Sequence, residues 1–133
     1  CSAPLTDRTL TSAFNRHKDS FAKLAALSDA RNLDCSHPND PDICTPRGSE
    51  EILAQLKEQT GFRELQVYVR KKPSYALWVP VQVTGALSTS SNVLGYVYSR
   101  SNMTPLVNNV WQDLEQREAY KQIADGWYLF TSN

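Results

Sequence analysis

The sequence predicts an α+β fold, in which helices pack on an antiparallel sheet within one domain. Its 133 residues are the length of a single domain, and 41% hydrophobic with 21% charged residues is typical of a globular protein. Apolar residues recur every three or four positions up to residue 56, and at every second position from residue 65. We therefore expect one domain over residues 6–133 and a tether over residues 1–5. The domain has two N-terminal helices, a sheet of about four strands and one further helix before the last strand.

The first segment, residues 7–30, has the apolar stripe of an amphipathic helix. The stripe consists of Leu10, Phe14, His17, Phe21 and Leu24. Thr6 is the expected N-cap, because its hydroxyl is able to accept from a backbone N–H of the first turn. Leu5 and Leu10 are placed to pack across that cap, and Asn32 is the expected end of the helix.

A second, shorter helix is predicted to open at Ser49. Glu50 and Glu51 follow in its first turn, where the helix dipole favours anions. Its apolar positions are Ile52, Leu53 and Leu56. Gly61 is expected to end this helix, because glycine readily adopts the left-handed conformation that closes helices.

Three strands are predicted next, because apolar and polar residues alternate. They span residues 65–70, 75–84 and 93–99, with a turn at residues 71–74. Pro80 places the second strand at an edge or a bulge, since proline cannot donate to a strand ladder. Gly95 in the third strand marks a point where another group approaches closely.

A third helix is predicted from Thr104 and Pro105 to about residue 122. Its apolar positions are Val107, Val110, Trp111 and Leu114. Asp125 and Gly126 then turn the chain into a last strand over residues 127–131. This strand is rich in aromatic residues and almost free of charge, so we expect it to pair inside the sheet.

Cys35 and Cys44 enclose a segment with two prolines that is predicted to contain no regular element. A disulfide across this loop is the favoured interpretation, and two free thiols in a cytosolic loop is the other. A zinc site would need four ligands, and adding His37 gives only three on a short loop. The disulfide favours an oxidising compartment.

Cys1 is followed by Ser2, Ala3 and Pro4, a short polar tether ahead of the first helix. Here the chain resembles the mature form of bacterial lipoproteins, in which such a cysteine is diacylated on sulfur and acylated on its amine. The resemblance covers only these residues and implies no specific family. It implies a lipid anchor at Cys1 in the outer membrane, facing the periplasm, since Ser2 rather than Asp follows the cysteine. The other interpretations are an unpaired thiol in a eukaryotic secreted chain and a cysteine that stands first without being lipidated.

The charge balance argues against a nucleic-acid partner. Fourteen basic residues against fourteen acidic ones give a net charge of zero and a pI near 6.9. A neutral chain has no global field that would draw it onto a polyanion. The expected contact with a membrane is through the lipid anchor alone.

The sequence predicts no enzyme, no cofactor and no metal. No hydrolase, metalloprotease or nucleotide-binding motif is present. Of the two histidines, His17 is expected in the core or at its edge, and His37 lies in the cysteine loop. Asp40 and Asp42 supply too few oxygen ligands for a convincing calcium site.

A partner-binding surface is predicted on the face of the sheet away from the main apolar set. It consists of Tyr68, Arg70, Lys71, Lys72 and Trp78. Tyrosine and tryptophan beside arginine is a composition typical of protein contact surfaces. Two alternatives stay open: another helix covers this face, or cross-strand aromatic pairs simply stabilise the sheet.

The favoured function is a non-enzymatic, periplasm-facing lipoprotein that binds a protein or an envelope component. An inhibitor or immunity protein is the more specific form of this hypothesis. The alternative is a carrier of small apolar ligands, with a pocket between the helices and the sheet.

Overall fold

The computed structural model describes residues 7–36, 42–71, 75–84, 92–100 and 118–132. These ranges contain three helices and seven strands. In chain order they are α1 (Asp7–Arg16), α2 (Lys18–Ala30), β1 (Leu33–Asp34), β2 (Ile43–Pro46), α3 (Ser49–Thr60), β3 (Tyr68–Arg70), β4 (Ala76–Thr84), β5 (Asn92–Tyr98), β6 (Glu118–Ala124) and β7 (Trp127–Ser132).

All seven strands belong to one sheet with the order β1-β2-β3-β4-β5-β7-β6. Every neighbouring pair in it is antiparallel. The predicted α+β class with an antiparallel sheet is therefore confirmed. The expected size of about four strands is wrong, and so is the expected order of helices and strands.

The predicted first helix is divided in two at His17, whose backbone angles (φ −124°, ψ 34°) are not helical. Its N–H donates to the carbonyl oxygens of Ala13 at 3.1 Å and Phe14 at 3.2 Å, while its own carbonyl oxygen accepts from Ser20 and Phe21. Hydrogen bonds thus continue across the break. The apolar residues keep the spacing of one helix, so their pattern does not predict the break. The four apolar residues of the predicted stripe are buried, whereas His17 is half-buried.

Both ends of α3 agree with the prediction. Gly61 closes α3 in the left-handed conformation (φ 78°), and its N–H donates to the Lys57 carbonyl oxygen at 2.9 Å. Ser49 is the first helical residue, and its hydroxyl donates back to the carbonyl oxygen of Pro46 at 2.7 Å. The predicted cap at Thr6 lies outside the described residues.

A disulfide joins Cys35 to Cys44, as predicted, with a Cα–Cα distance of 4.3 Å. Asp34 pairs with Thr45 in the β1–β2 ladder, so the two cysteines extend that ladder by one pair. The expectation that residues 34–44 contain no regular element is wrong at both ends of the segment. Asp34 belongs to β1, while Ile43 and Cys44 belong to β2. Prolines and turn residues at the centre of the segment gave no sign of these short strands.

We expect Cys35→Ser to lower the free energy of unfolding by about 2 to 3 kcal/mol under oxidising conditions, because the cross-link restricts the unfolded chain. Thermal denaturation with and without a reductant measures this loss. Cys44→Ser and the double variant serve as controls, and both should lose about the same amount as the single variant. An unchanged melting temperature in all three variants would contradict a stabilising cross-link.

The central strands follow the predicted alternation closely. In β4 the buried side chains Leu77, Val79 and Val81 belong to one core cluster. The register shifts between Pro80 and Gln82, which is the predicted bulge. The edge position is wrong, because β4 pairs with β3 on one side and β5 on the other.

The first predicted strand is shorter than expected. Only Tyr68–Arg70 pair as β3. Leu65 is buried ahead of the strand, and the Gln66 N–H donates to the Pro80 carbonyl oxygen at 3.0 Å outside the regular ladder. The alternation of apolar and polar residues therefore begins before β3, in residues 65–67, where the bond from Gln66 to Pro80 resembles a strand hydrogen bond.

Gly95 lies where the backbone of β4 crowds β5, as the sequence indicated. A Cβ atom at this position would overlap the carbonyl oxygen of Val79 and would lie 2.7 Å from Pro80 Cα. The bulge in β4 and the glycine in β5 therefore form one structural unit.

The predicted third helix is wrong over residues 118–122, which belong to the strand β6. Residues 104–117 lie outside the described part of the chain. Asp125 and Gly126 connect β6 to β7 as a two-residue turn with Gly126 at φ 79°. The expected last strand is confirmed, and it pairs with β5 on one side and β6 on the other.

The sheet carries a core cluster on each face. On the helix side, aromatic rings fill the space between α1, α2 and the sheet. They are those of Phe14, Phe21, Tyr96 and Trp127, all buried, with centroids 4.8 to 6.1 Å apart. The Tyr96 hydroxyl donates to the Leu10 carbonyl oxygen, so the one polar atom on that ring is satisfied. On the other face the buried residues are Ala76, Val97, Tyr120, Tyr128 and Phe130.

Candidate binding site

The predicted partner-binding surface is only partly exposed. Tyr68 and Trp78 lie directly opposite each other on β3 and β4, and both are half-buried. Arg70 and Lys71 are exposed, and Lys72 lies outside the described residues. Burial raises the pKa of the Tyr68 hydroxyl, and the charge of Arg70 opposes this rise.

Trp78 packs into the second core cluster as well as facing Tyr68. Its ring meets that of Phe130 edge-on at a centroid distance of 4.9 Å and lies 6.5 Å from that of Tyr120. The indole N–H of Trp78 is buried and has no hydrogen-bond partner among the described residues. Tyr68 and Trp78 form a cross-strand pair, the alternative that the sequence left open, whereas Phe130 and Tyr120 lie on strands that are not neighbours of β4.

A groove on the opposite side of the sheet gathers tyrosine and arginine side chains from three distant parts of the chain. Its volume is about 320 Å³. We call it the tyrosine–arginine groove, and its lining residues are Ser28, Asp29, Arg31, Tyr75, Tyr98, Ser99 and Arg100. The end of α2, the start of β4 and the end of β5 meet there.

Arg31 forms one wall of this groove. It caps α2 in the left-handed conformation (φ 57°, ψ 24°), which costs a side-chain-bearing residue about 1 kcal/mol. Its guanidinium lies over the Tyr75 ring, 4.1 Å from the centroid. The Tyr75 hydroxyl donates to the Ser28 carbonyl oxygen at 2.6 Å, so the ring that supports the guanidinium is itself held in place.

Asp29 organises the other wall. Its two carboxylate oxygens accept from Arg100 Nη2 at 3.0 Å and Nε at 3.3 Å, and Tyr98 donates its hydroxyl to the same carboxylate at 3.1 Å. Burial, the hydrogen bond to Asp29 and the charge of Asp29 raise the pKa of Tyr98. The Arg100 side chain is 78% exposed, so this ion pair orients the wall more than it stabilises the fold.

The groove has an excess of positive charge. Among its described lining residues are two arginines and one aspartate. Arg100 forms an ion pair with Asp29. The Arg31 guanidinium, in contrast, has no hydrogen bond or ion pair with any residue that the structure describes. Stacking covers only the flat face of a guanidinium, so the N–H groups at its edge stay available to an acceptor.

In the described ranges no group of three or more His, Cys, Asp or Glu residues is placed to hold a metal ion. Within those same ranges no helix is both long and apolar enough to cross a bilayer.

Comparison with family models, curated proteins and solved structures finds no match for this chain. Functional inference therefore rests on the residues of the chain itself.

The sequence analysis missed the tyrosine–arginine groove. Its parts are separated by 47 residues between Tyr75 and Ser28 and by 71 between Arg100 and Asp29, so no local pattern joins them. The first long apolar segment ends at Arg31 and Asn32 without a glycine. Glycine is the usual left-handed cap, so the sequence does not indicate the left-handed conformation of Arg31.

Proposed function

We propose that this protein is a non-enzymatic binding protein of the cell envelope that captures a partner protein through the tyrosine–arginine groove. The observation that carries the proposal is the state of Arg31. Its guanidinium is fixed on the Tyr75 ring at 4.1 Å, and its N–H edge lacks a partner among the described residues. A group held in this way loses little further freedom on binding, which favours affinity.

The chemistry of the groove fits an acidic side chain of the partner. A guanidinium presents its N–H groups in a planar fork that matches a carboxylate. Tyr75 and Tyr98 supply rigid aromatic walls on either side, and tyrosine with arginine is the composition that dominates binding energy at protein interfaces. The remaining positive charge of the groove attracts the same partner.

The Cys35–Cys44 disulfide supports a location in the cell envelope, since such bonds persist in oxidising compartments. Lipidation of Cys1 and an outer-membrane address facing the periplasm stay part of the proposal, and Cys1 lies outside the described residues. An inhibitor or immunity role is the specific form that we favour, because a small preformed groove suits the capture of one acidic loop of a toxin or lytic enzyme.

The carrier of apolar ligands receives less support. Its pocket was expected between helices and sheet, where the rings of Phe14, Phe21, Tyr96 and Trp127 pack against each other. The tyrosine–arginine groove is lined by charged residues as well as by rings. Neither location resembles the apolar pocket that such a ligand requires.

We expect Arg31→Gly to abolish partner capture without unfolding the protein. Glycine adopts the left-handed cap without strain, which offsets the lost ring contact, so stability should stay within about 1 kcal/mol of the original. Loss of an arginine anchor should lower the recovery of cross-linked partner from envelope extracts about tenfold or more. The melting temperature and the recovery are measured on the same preparations.

Arg47→Ala is the matched control, because Arg47 is exposed and does not line the groove. A partner recovered equally with the Arg31→Gly variant would show that the groove is not the site. Loss of capture in Arg70→Ala but not in Arg31→Gly would return the site to the surface around Tyr68 and Trp78. No saturable partner for any variant would reject the binding function itself.

A further inference from the structure

We propose that a second groove, between α1 and the end of α3, binds the phosphate group of an anionic ligand. This site is separate from the tyrosine–arginine groove and shares no lining residue with it. Its volume is about 360 Å³. We call it the cationic groove, after the three basic residues that line it: Arg8, Arg16 and His17.

The helix α1 places these basic groups on one side. Arg8, Ser12 and Arg16 follow at four-residue spacing and are exposed, which puts them on one face of a helix. Leu10 and Phe14 are buried from the opposite side of the same helix. The rise of a helix separates the Cα atoms of Arg8 and Arg16 by about 12 Å along the axis, so the two residues lie two turns apart on that face.

The break between α1 and α2 adds His17 to the same groove. A continuous helix would carry this residue along the apolar stripe, whereas its non-helical backbone (φ −124°) leaves it half-buried at the groove. The break therefore has a consequence for binding as well as for packing, since His17 lines the groove next to Arg16 in the chain.

These charges are not neutralised by the part of the protein that the structure describes. No acidic residue occurs among the described lining residues of the cationic groove. No described residue makes a hydrogen bond or an ion pair with the side chains of Arg8, Arg16 or His17, in contrast to Arg100, which Asp29 neutralises. Among the residues that the structure describes, Arg8 and Arg16 therefore bring positive charge to this groove without a paired acidic side chain.

The end of α3 could oppose an anion, because the last carbonyl groups of a helix carry partial negative charge. Two carbonyl groups near that end, those of Leu56 and Lys57, already have partners. The Thr60 hydroxyl donates to the Leu56 carbonyl oxygen at 2.6 Å and accepts from the Phe62 N–H at 3.2 Å. Gly61 donates its N–H to the Lys57 carbonyl oxygen at 2.9 Å. The wall that α3 presents is therefore partly screened by its own cap.

A phosphate group fits this arrangement better than a carboxylate does. It carries a charge of about −1.5 to −2 at neutral pH and three acceptor oxygens that point in different directions. The arginine forks, the Ser12 hydroxyl and the Gln59 amide line the same groove, and they are donors of the kinds that such a group accepts. A planar carboxylate satisfies one fork and leaves the other donors unused.

Calorimetric titration of the full chain with inorganic phosphate tests the site. We expect saturable binding to the wild type and a dissociation constant about tenfold or more higher in Arg8→Gln/Arg16→Gln, since charge-assisted hydrogen bonds are lost. Arg47→Ala should bind phosphate as the wild type does, because Arg47 is exposed and lines neither groove. The melting temperature of the double variant should not change, because both arginines are exposed.

Vesicles containing phosphatidylglycerol distinguish the sources of the phosphate. Vesicle binding that depends on Arg8 and Arg16 would identify a lipid headgroup, and binding of phosphate without vesicles would identify a soluble phosphate ester. Either result supports the site. Equal affinity of the wild type and the double variant for phosphate, equal affinity of the wild type for acetate and phosphate, or no binding of phosphate and vesicles would each overturn it.

Discussion

Gly95→Ala is expected to lower the free energy of unfolding by roughly 3 kcal/mol or more. An added Cβ would overlap the Val79 carbonyl oxygen and would lie 2.7 Å from Pro80 Cα and 2.9 Å from Val81 N. These are backbone atoms inside a bulge of the central strand β4, so no rotation of a side chain relieves the overlap. Urea denaturation followed by circular dichroism measures the loss.

Gly61→Ala is the matched control for this experiment. Gly61 has a left-handed φ of 78°, but a Cβ there meets no atom within 4 Å. Only the conformational cost remains, which is about 1 kcal/mol. A Gly95→Ala variant that is no less stable than the Gly61→Ala variant would contradict the close approach of β4 and β5.

Phe21→Ala is expected to cost about 3 to 5 kcal/mol of stability. Phe21 is 1% exposed, and its ring lies 4.8 Å from that of Tyr96, 5.0 Å from that of Phe14 and 5.4 Å from that of Trp127. Removal of the ring leaves a cavity among large aromatic side chains that cannot easily close around it. Equilibrium unfolding at 25 °C gives the value.

Phe62→Ala controls for the loss of a phenyl group as such. Phe62 is half-buried and packs at the margin of the same cluster, so its removal should cost clearly less than that of Phe21. Equal losses at the two positions would show that the centre of the cluster is not at Phe21. A negligible loss at Phe21 would contradict the packing of α2 on the sheet.

The sequence predicted those features of the fold that depend on residues close together in the chain. Gly61 ends α3 because its backbone accepts a positive φ, and this property is visible in the sequence. The alternation of Leu77, Val79 and Val81 similarly identifies β4, because one face of that strand is fully buried. Pro80 indicated the bulge, although the sequence alone could not distinguish a bulge from an edge.

The strand β6 shows where periodicity misleads. The apolar spacing that begins at Val107 predicts a helix to about residue 122, but residues 118–124 form a strand that pairs with β7. Asp125 and Gly126 indicate the correct structure, because an Asp-Gly pair between two short apolar segments is typical of a two-residue β-hairpin turn. A hairpin interpretation would have required a strand immediately before the turn.

The short strands β1 and β2 and the tyrosine–arginine groove share another cause of failure. Each depends on contacts between residues far apart in the chain, such as Arg47 with Asn32 in the backbone and Arg100 with Asp29 in the groove. The sequence predicted the disulfide between β1 and β2 because cysteines pair with few alternatives. A tyrosine or an arginine can contact many kinds of residue, so the sequence does not restrict its partners in the same way.

The position of β7 has a consequence for how the protein is made. This strand lies between β5 and β6, yet it follows both in the chain. While a ribosome still holds residues 127–132, β5 and β6 have no strand between them to join them. Completion of the sheet is thereby delayed until synthesis has passed that point, and the partly formed sheet is exposed to chaperones and proteases in the interval.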